Sequence, residues 1–167
     1  MSDELFSDKA NLLKHAIKGE EDGFKYYDLL AQAATNPTAK KRLEGLRDDE
    51  KRHKAILTNL YRDHVGGEVG PLPEKGISVL AQVFEKGKLR RLKSEMEYIN
   101  LAIEAELATA KYYKSGMDSV AGAEFKEILH QLVEEEDSHY EILMAEREAL
   151  SGNYFWFATE DSAPMED

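Results

Sequence analysis

Apolar residues recur in steps of three and four along four long stretches of this 167-residue chain. Such spacing places them on one face of an α-helix, because a helical turn takes about 3.6 residues. In the second stretch the face reads Ala39, Leu43, Leu46, Glu50, His53, Leu57 and Leu60. In the fourth it reads Phe125, Ile128 or Leu129, Leu132, Glu136, His139 and Leu143. The pattern predicts amphipathic helices whose apolar faces contain acidic residues and histidines.

The first and third stretches carry faces of the same kind. The first reads Leu13, Ile17, Glu20, Phe24, Tyr27 and Ala31. The third reads Ile99, Ala102, Glu106, Ala110, Tyr113 and Met117. Four glutamates and two histidines therefore lie near the middle of four apolar faces. Because such faces pack inward in a bundle, these six side chains are predicted to meet in the core.

An internal repeat with an offset of 86 residues relates the two halves of the chain. The letters AIKGE and FKYY at 16–20 and 24–27 recur as AIEAE and AKYY at 102–106 and 110–113. The same offset carries Glu50 onto Glu136 and His53 onto His139. Each half is therefore predicted to be a hairpin of two long helices.

Capping signals give the expected ends of the helices in the first hairpin. Ser7 or Asp8 is expected to cap a helix that runs to about residue 35. Asn36-Pro37 then supplies an N-cap and a proline at the first helical position, where proline is tolerated. This second helix is expected to run to about residue 64.

The second hairpin has similar signals. Ser94, followed three residues later by Glu97, is a capping box for the third helix. That helix is expected to end near Gly116, and Asp118 or Ser119 is expected to start the fourth.

A long crossover over residues 65–93 joins the hairpins. It begins GGEVGPLPEKG, whose glycines and prolines break helices, and its amphipathic piece 78–84 is expected to form a short helix. The predicted architecture is all-α: a four-helix bundle over residues 1–150, made of two hairpins and this crossover. An acidic tail with an aromatic cluster follows at 151–167.

Composition narrows the classes of function. The chain has no cysteine, which excludes disulfides, thiolate metal sites and iron–sulfur centres within it. A formal net charge of −11 argues against a nucleic-acid partner. No apolar run approaches the roughly 20 residues that cross a bilayer, and the N-terminus lacks the features of a secretory signal. We therefore expect a cytoplasmic protein without a membrane partner.

The functional hypothesis rests on the four glutamates that are predicted to be buried. A buried, unpaired carboxylate costs several kcal/mol, and converging carboxylates repel one another. Two divalent cations would neutralise four of them, and Glu-x-x-His places two ligands on one helical face. This donor set favours iron, or else manganese, over zinc. A polar core without metal is the alternative. The expected ligands are Glu20, Glu50, His53, Glu106, Glu136 and His139.

Symmetry suggests a role for each expected ligand. Glu50 and Glu136 are expected to bridge the two metal ions. The glutamates of the first and third helices would then be terminal ligands, and each histidine would give one nitrogen to one metal.

The segments AIKGEEDGFKYY and AIEAELATAKYY, with DDEKRH and EEEDSH, resemble the rubrerythrin family of the ferritin-like superfamily over about residues 8 to 150. The resemblance implies a ferritin-like fold and a di-iron centre held by the six residues above. It also implies that Tyr27 and Tyr113 lie beside the site and hydrogen-bond its carboxylates; ordinary core packing is the other interpretation. The implied function is reduction of peroxide or dioxygen, an oxidoreductase activity in defence against oxidative stress. A homodimer is implied as well.

Two departures from the family pattern qualify this hypothesis. The cysteine-ligated, rubredoxin-like domain of typical rubrerythrins is absent, so electrons would come from a separate donor protein. Thr109 stands where the family has a further carboxylate, about one turn after Glu106. A non-catalytic protein for iron handling or storage, and a structural bundle that keeps the ligands, therefore remain as alternatives.

Two further groups of residues receive plainer interpretations. Glu134, Glu135 and Asp137 flank Glu136 and are expected to form a solvated face. The aromatic residues at 154–157 are interpreted as a strap over the bundle, a contact between subunits, or a docking peptide for a partner.

Overall fold

The computed structural model of the chain describes residues 2–77, 80, 84–85, 88–89, 94–120 and 122–157. Its helices are α1 (Ser2–Ala33), α2 (Pro37–His64), α3 (Glu95–Ser119) and α4 (Ala123–Ala149). Two short strands in the crossover, β1 (Phe84–Glu85) and β2 (Lys88–Leu89), pair in antiparallel fashion. Helix α1 packs along α2, and α3 packs along α4. The predicted all-α bundle of two hairpins is confirmed.

Asn36 and Ser94 are the N-caps of α2 and α3, as predicted. The side-chain oxygen of Asn36 accepts hydrogen bonds from the amides of Thr38 and Ala39, at 2.9 and 3.1 Å. The Ser94 hydroxyl accepts from the amide of Glu97 at 3.3 Å. These caps satisfy amide groups that have no partner within their own helix.

The predicted start of α1 is wrong. Ser7 and Asp8 lie inside the helix, which begins at Ser2. The stretch from Ser2 to Asp8 contains no glycine or proline, the two residues that interrupt a helix. The helix therefore extends beyond the residues that were expected to cap it.

The predicted boundary between α3 and α4 is also wrong. Helix α3 continues past Gly116 to Ser119, and α4 is preceded by Gly122, whose φ of 112° favours glycine. Gly116 serves packing instead, because a Cβ there would lie 3.0 Å from Leu12 Cδ1 of α1. A glycine that allows two helices to approach and a glycine that ends a helix look alike in sequence.

The predicted apolar faces are the buried faces. All seven residues predicted for α2 are buried. In α4 the buried residue is Leu129, and Ile128 is only partly buried. Phe24 and Met117 are also partly buried, so they lie at the edges of their faces.

Two tyrosines that correspond in the repeat form hydrogen bonds between the two hairpins. The Tyr26 hydroxyl donates to the carbonyl oxygen of Tyr98 at 2.5 Å. The Tyr112 hydroxyl donates to the carbonyl oxygen of Leu12 at 2.9 Å. The offset of 86 residues relates both the donors and the acceptors, so each hairpin is fixed to the other by the same contact.

At Gly76 and Ile77 the crossover lies in close contact with α1. A Cβ on Gly76 would lie 2.8 Å from the backbone nitrogen of Gly19, and a Cβ on Gly19 would lie 2.7 Å from Ile77 Cγ1. The offset of 86 residues carries Gly19 onto Ala105. The absence of a side chain at Gly19 therefore leaves the space in which the crossover passes over α1. Most of the short helix expected at 78–84 lies outside the described residues.

The aromatic segment after α4 packs onto the bundle. Trp156 is 1% exposed and Phe157 is 5% exposed, and both belong to the core. The Glu95 carboxylate accepts hydrogen bonds from both of their amides, at 3.1 and 2.7 Å. The Trp156 carbonyl oxygen accepts from the amide of Thr35 at 2.9 Å. These contacts favour the strap among the three interpretations of the aromatic residues.

Among the described residues, none of the helices combines the length and the apolar composition that crossing a membrane requires.

The buried strap predicts a large loss of stability for Trp156→Ala. Removing a buried tryptophan side chain should lower the free energy of unfolding by about 3–5 kcal/mol, measured by urea denaturation. Gly152→Ala is the matched control, because nothing in the described part of the chain lies within 4 Å of its added Cβ. An equally small effect for both variants would show that the strap does not belong to the core.

Candidate metal centre

The four helices bring all six predicted residues together in the middle of the bundle. Helix α1 contributes one glutamate, α3 contributes another, and α2 and α4 each contribute a glutamate and a histidine. None of the six is more than 4% exposed. They are Glu20, Glu50, His53, Glu106, Glu136 and His139.

The six residues form two overlapping groups of potential ligands. Within each group, one donor atom from every residue lies within 4.8 Å of the others. Glu50 and Glu136 belong to both groups. One group adds Glu20 and His53, and the other adds Glu106 and His139. Two neighbouring positions for a cation therefore share two carboxylates, which is the arrangement that bridging ligands need.

Both histidines turn the same ring nitrogen toward the carboxylates. His53 Nδ1 lies 3.0 Å from Glu136 Oε1, and His139 Nδ1 lies 3.5 Å from Glu50 Oε1. The two rings are stacked, with centroids 5.6 Å apart and an angle of 20° between their planes. The Nδ1 atoms therefore face the cluster, and the Nε2 atoms face away from it.

Two carboxylates outside the cluster, those of Asp49 and Glu135, form hydrogen bonds with the Nε2 atoms between α2 and α4. They are called the outer carboxylates below. His53 Nε2 of α2 is hydrogen-bonded to Glu135 of α4, and His139 Nε2 of α4 lies 3.0 Å from Asp49 Oδ2 of α2. An ionised carboxylate only accepts hydrogen bonds, so Nε2 of each ring carries a proton, and loss of the other ring proton leaves the Nδ1 lone pair facing the cluster. A ring oriented in this way is ready to bind a metal ion.

The solvated face expected beside Glu136 is therefore corrected at Glu135. Its side chain is 39% exposed but reaches back to His53, whereas Glu134 and Asp137 are exposed as expected. A sequence signal for the outer carboxylates exists: an acidic residue precedes each Glu-x-x-His, and the offset of 86 residues carries Asp49 onto Glu135.

Tyr27 and Tyr113 hold the glutamates of α1 and α3, again crosswise. The Tyr27 hydroxyl donates to Glu106 Oε1 at 2.6 Å, and the Tyr113 hydroxyl donates to Glu20 Oε1. Burial and the nearby carboxylates raise the pKa of both tyrosines well above 10. Both hydroxyls therefore remain protonated donors at physiological pH.

Several polar atoms of the cluster are buried without a partner. Among the described residues, Glu20 Oε2, Glu136 Oε2 and His139 Nδ1 have no hydrogen-bond partner. Leaving a buried polar atom unsatisfied costs about 1–3 kcal/mol. Carboxylate oxygens and imidazole nitrogens are the donors that iron and manganese accept. The residues present therefore fit a pair of such cations.

When no cation is bound, protons compensate the negative charge of the cluster. Burial and repulsion by neighbouring glutamates raise the pKa of Glu50 and Glu136 well above 4.5. Burial opposes the protonation of His53, but hydrogen bonds to Glu136 and Glu20 outweigh it and raise its pKa to about 10. Burial likewise opposes the protonation of His139, but the neighbouring carboxylates of Glu106, Glu136 and Glu50 raise its pKa. Burial also opposes the ionisation of Glu20, but its hydrogen bonds lower its pKa to about 2.

Gly23 is a residue of the site that sequence reasoning missed. A Cβ on Gly23 would lie 3.0 Å from Glu50 Oε2, so the glycine lets this carboxylate pack directly against α1. The repeat carries Gly23 onto Thr109, whose hydroxyl donates to the Ala105 carbonyl at 2.8 Å. The two halves of the cluster therefore differ one turn after their first glutamate.

Comparisons with known proteins identify a family and a similar fold. The family model described as Rubrerythrin matches residues 11–147, which include all six residues of the cluster. A solved structure of a hypothetical protein from Pyrococcus furiosus superimposes with a TM-score of 0.72 and 28% sequence identity, covering 84% of this chain and 88% of that chain. No curated protein matches the chain.

The protonated cluster predicts that the metal-free protein loses stability as the pH rises from about 6.5 to about 10. The pKa of His53 is about 10 in the folded state and 6.5 ordinarily, so its contribution is complete below pH 6.5 and is lost toward pH 10. The raised pKa values of Glu50 and Glu136 act in the same direction. The lowered pKa of Glu20 acts only below its ordinary value of 4.5.

Urea denaturation at a series of pH values across this window measures the effect. The pH dependence should shrink when Mn(II) is added, because the cation takes the place of the protons. A free energy of unfolding that stays constant or rises with pH in the metal-free protein would contradict this account of the cluster.

The contact at Gly23 predicts weaker metal binding for Gly23→Ala. Overpacking against Glu50 should reduce the Mn(II) affinity about tenfold, measured by calorimetry, which corresponds to about 1.4 kcal/mol. Gly45→Ala on α2 is the matched control, because its Cβ would meet nothing within 4 Å in the described structure. Equal Mn(II) affinities for the two variants would exclude a role for Gly23 in placing Glu50.

Proposed function

Because this chain belongs to the rubrerythrin family, we propose that it is a di-iron oxidoreductase that reduces peroxide or dioxygen with electrons from a separate donor protein. The observation that supports this proposal most strongly is the pair of overlapping donor groups that share Glu50 and Glu136. A single metal site would need only one such group.

We assign the ligands of the proposed centre by the groups in which they lie. Glu50 and Glu136 belong to both groups and are the proposed bridges. Each remaining glutamate and histidine belongs to one group and is the proposed terminal ligand of one metal ion. The proposed pairs are Glu20 with His53 and Glu106 with His139. Iron is the proposed metal, with manganese as the alternative.

Two bound iron ions, once reduced by the donor, would supply the two electrons that, together with two protons, convert hydrogen peroxide to two water molecules. The protein supplies the surroundings for this chemistry. The six proposed ligands are at most 4% exposed, so the bundle excludes bulk water from the centre. The proposed role of the chain is thus to keep a dry, preformed site.

The hydrogen bonds around the centre orient the proposed ligands. Tyr27 engages Oε1 of Glu106, and Tyr113 engages Oε1 of Glu20, so that each glutamate keeps its second oxygen for a metal ion. Asp49 and Glu135 hold the imidazoles with Nδ1 inward. Such outer partners fix the orientation of ligands and raise the basicity of a histidine.

The electron donor is proposed to be a different protein, because the chain has no cysteine to hold an iron–sulfur or rubredoxin-type centre. We further propose that the protein is a cytoplasmic homodimer that acts in defence against oxidative stress. The proposed dimer and the proposed role in oxidative stress rest on the family, and the proposed location rests on the sequence features described above.

Iron handling with little turnover is the second candidate function. The observation that favours it is Thr109, which is buried where the family has a further carboxylate and bonds the backbone instead. The proposed centre is thus limited to four carboxylates and two histidines, and a metal ion has no additional oxygen ligand on α3 to move to.

Anaerobic reconstitution with Fe(II) tests the proposed centre. The purified protein should bind about two iron ions per chain, the number that this ligand set holds in related bundles. The double variant Glu50→Ala, Glu136→Ala should lose this binding, because it removes both proposed bridges. Glu134→Ala is the control, since its exposed side chain lies on the same helix. Unchanged iron content in the double variant would refute the assignment of the bridges.

The reaction of the iron-loaded protein distinguishes the two candidate functions. Rapid oxidation by peroxide, with many turnovers when a reductant is supplied, is the result expected of the oxidoreductase. Slow oxidation without turnover would favour iron handling, and uptake far above two iron ions per chain would favour storage.

A further inference from the structure

Arg52 on α2 lies where the two outer carboxylates meet. Its Nη2 donates to Glu135 Oε2 at 2.8 Å and to Asp49 Oδ1 at 3.4 Å. The same two carboxylates accept the hydrogen bonds of His53 and His139. One guanidinium group therefore contacts the outer partners of both histidines and links α2 to α4.

The repeat provides no second arginine for this purpose. The offset of 86 residues carries Arg52 onto Ser138, which is exposed. The histidines and outer carboxylates are duplicated in the repeat, but the cation is not. In the described part of the chain, Arg52 therefore contacts the outer carboxylates of both halves and has no counterpart at the repeated position.

The two contacts of Arg52 are unequal. On Glu135 the same oxygen, Oε2, accepts from Arg52 and from His53. On Asp49 the contacts are divided, with Oδ1 toward Arg52 and Oδ2 toward His139. The shorter and shared contact is on the His53 side, so a change at Arg52 should affect His53 more than His139.

We infer that Arg52 is a positioning residue of the metal centre: through Glu135 and Asp49 it holds His53 and His139 with Nδ1 facing the metal ions, and its charge limits the negative charge next to both imidazoles. The inference rests on the proposed function, because it concerns the histidines as metal ligands. It adds a residue that does not touch the cluster itself.

The exposure of the outer carboxylates explains why a positioning residue is needed. The side chains of Glu135 and Asp49 are 39% and 43% exposed. A carboxylate that is so exposed can leave its histidine for water, since both alternatives give it hydrogen bonds. The planar guanidinium restrains both carboxylates because the two N–H bonds of its Nη2 atom point in fixed directions.

The charge of Arg52 acts in a second way. Without it, the negative charges of Glu135 and Asp49 would stand uncompensated beside the centre, whether or not they keep their hydrogen bonds to the histidines. Uncompensated negative charge stabilises the oxidised state of a bound metal, so the reduction potential of the centre would fall. An exposed ion pair adds little to folding stability, so the effect should appear at the metal centre and not in the unfolding curve.

The test compares Arg52→Gln, Arg52→Lys and the control Arg47→Gln with the parent protein. Arg47 is a suitable control because it lies on the same helix and its ion pairs are with Asp28, Glu44 and Asp48. The probes are Co(II) alone, for affinity and for the shifted imidazole N–H resonances in NMR spectra, and Fe(II), for the reduction potential.

Arg52→Gln should bind Co(II) about tenfold more weakly, at the lower end of the range for outer partners of metal ligands. Its imidazole N–H protons should exchange faster with water, that of His53 most, and the reduction potential should fall. Arg52→Lys keeps the charge but not the planar group, so it should restore the potential and leave the exchange fast. Arg47→Gln should match the parent protein.

A double-mutant cycle makes the test specific. In a Glu135→Gln background, Arg52→Gln should cause little further loss of Co(II) affinity, because the residue through which it acts is already changed. Fully additive losses would overturn the inference.

The outcomes separate this inference from the proposed function. If the parent protein binds metal and Arg52→Gln matches Arg47→Gln in affinity, proton exchange and potential, the inference is wrong and the proposed function stands. If the parent protein binds neither Co(II) nor Fe(II), the proposed function fails, and this inference fails with it.

Discussion

Four carboxylates are buried together in one helical core, where their negative charge has to be compensated. Each ionised group would cost several kcal/mol if nothing compensated it, against a total stability of roughly 5–15 kcal/mol for an ordinary domain. Compensation by protons appears in the raised pKa values of Glu50, Glu136 and His53. Compensation by cations would also satisfy the oxygen and nitrogen atoms that have no hydrogen-bond partner. The surrounding tyrosines, outer carboxylates and Arg52 hold the carboxylates and imidazoles of the cluster in place in both cases.

The crosswise hydrogen bonds make the site a joint product of both hairpins. Tyr27 of the first hairpin bonds Glu106 of the second, and Tyr113 of the second bonds Glu20 of the first. The outer carboxylates and histidines cross between α2 and α4 in the same manner. Neither hairpin holds a complete half of the site by itself, so assembly of the cluster is coupled to docking of the hairpins. The pseudo-twofold arrangement follows from the repeat of 86 residues.

Periodicity predicts which residues of such a bundle meet, because burial depends on the face of each helix. All seven residues expected on the buried face of α2 are buried, and all six expected residues of the cluster converge. What periodicity misses depends on the neighbouring helix. Glu135 lies beside the buried face, and its side chain finds His53 only because α2 passes next to it. Gly23 shows its role only through the position of Glu50. In each case the decisive atom belongs to another helix.

The most direct test of this account is anomalous scattering at the iron edge from a crystal of the protein reconstituted anaerobically with Fe(II). Two peaks are expected roughly 3.5–4 Å apart, one beside Nδ1 of His53 and one beside Nδ1 of His139, with Glu50 and Glu136 in contact with both. A map without peaks in the bundle, or with a single peak away from Glu50 and Glu136, would contradict this account.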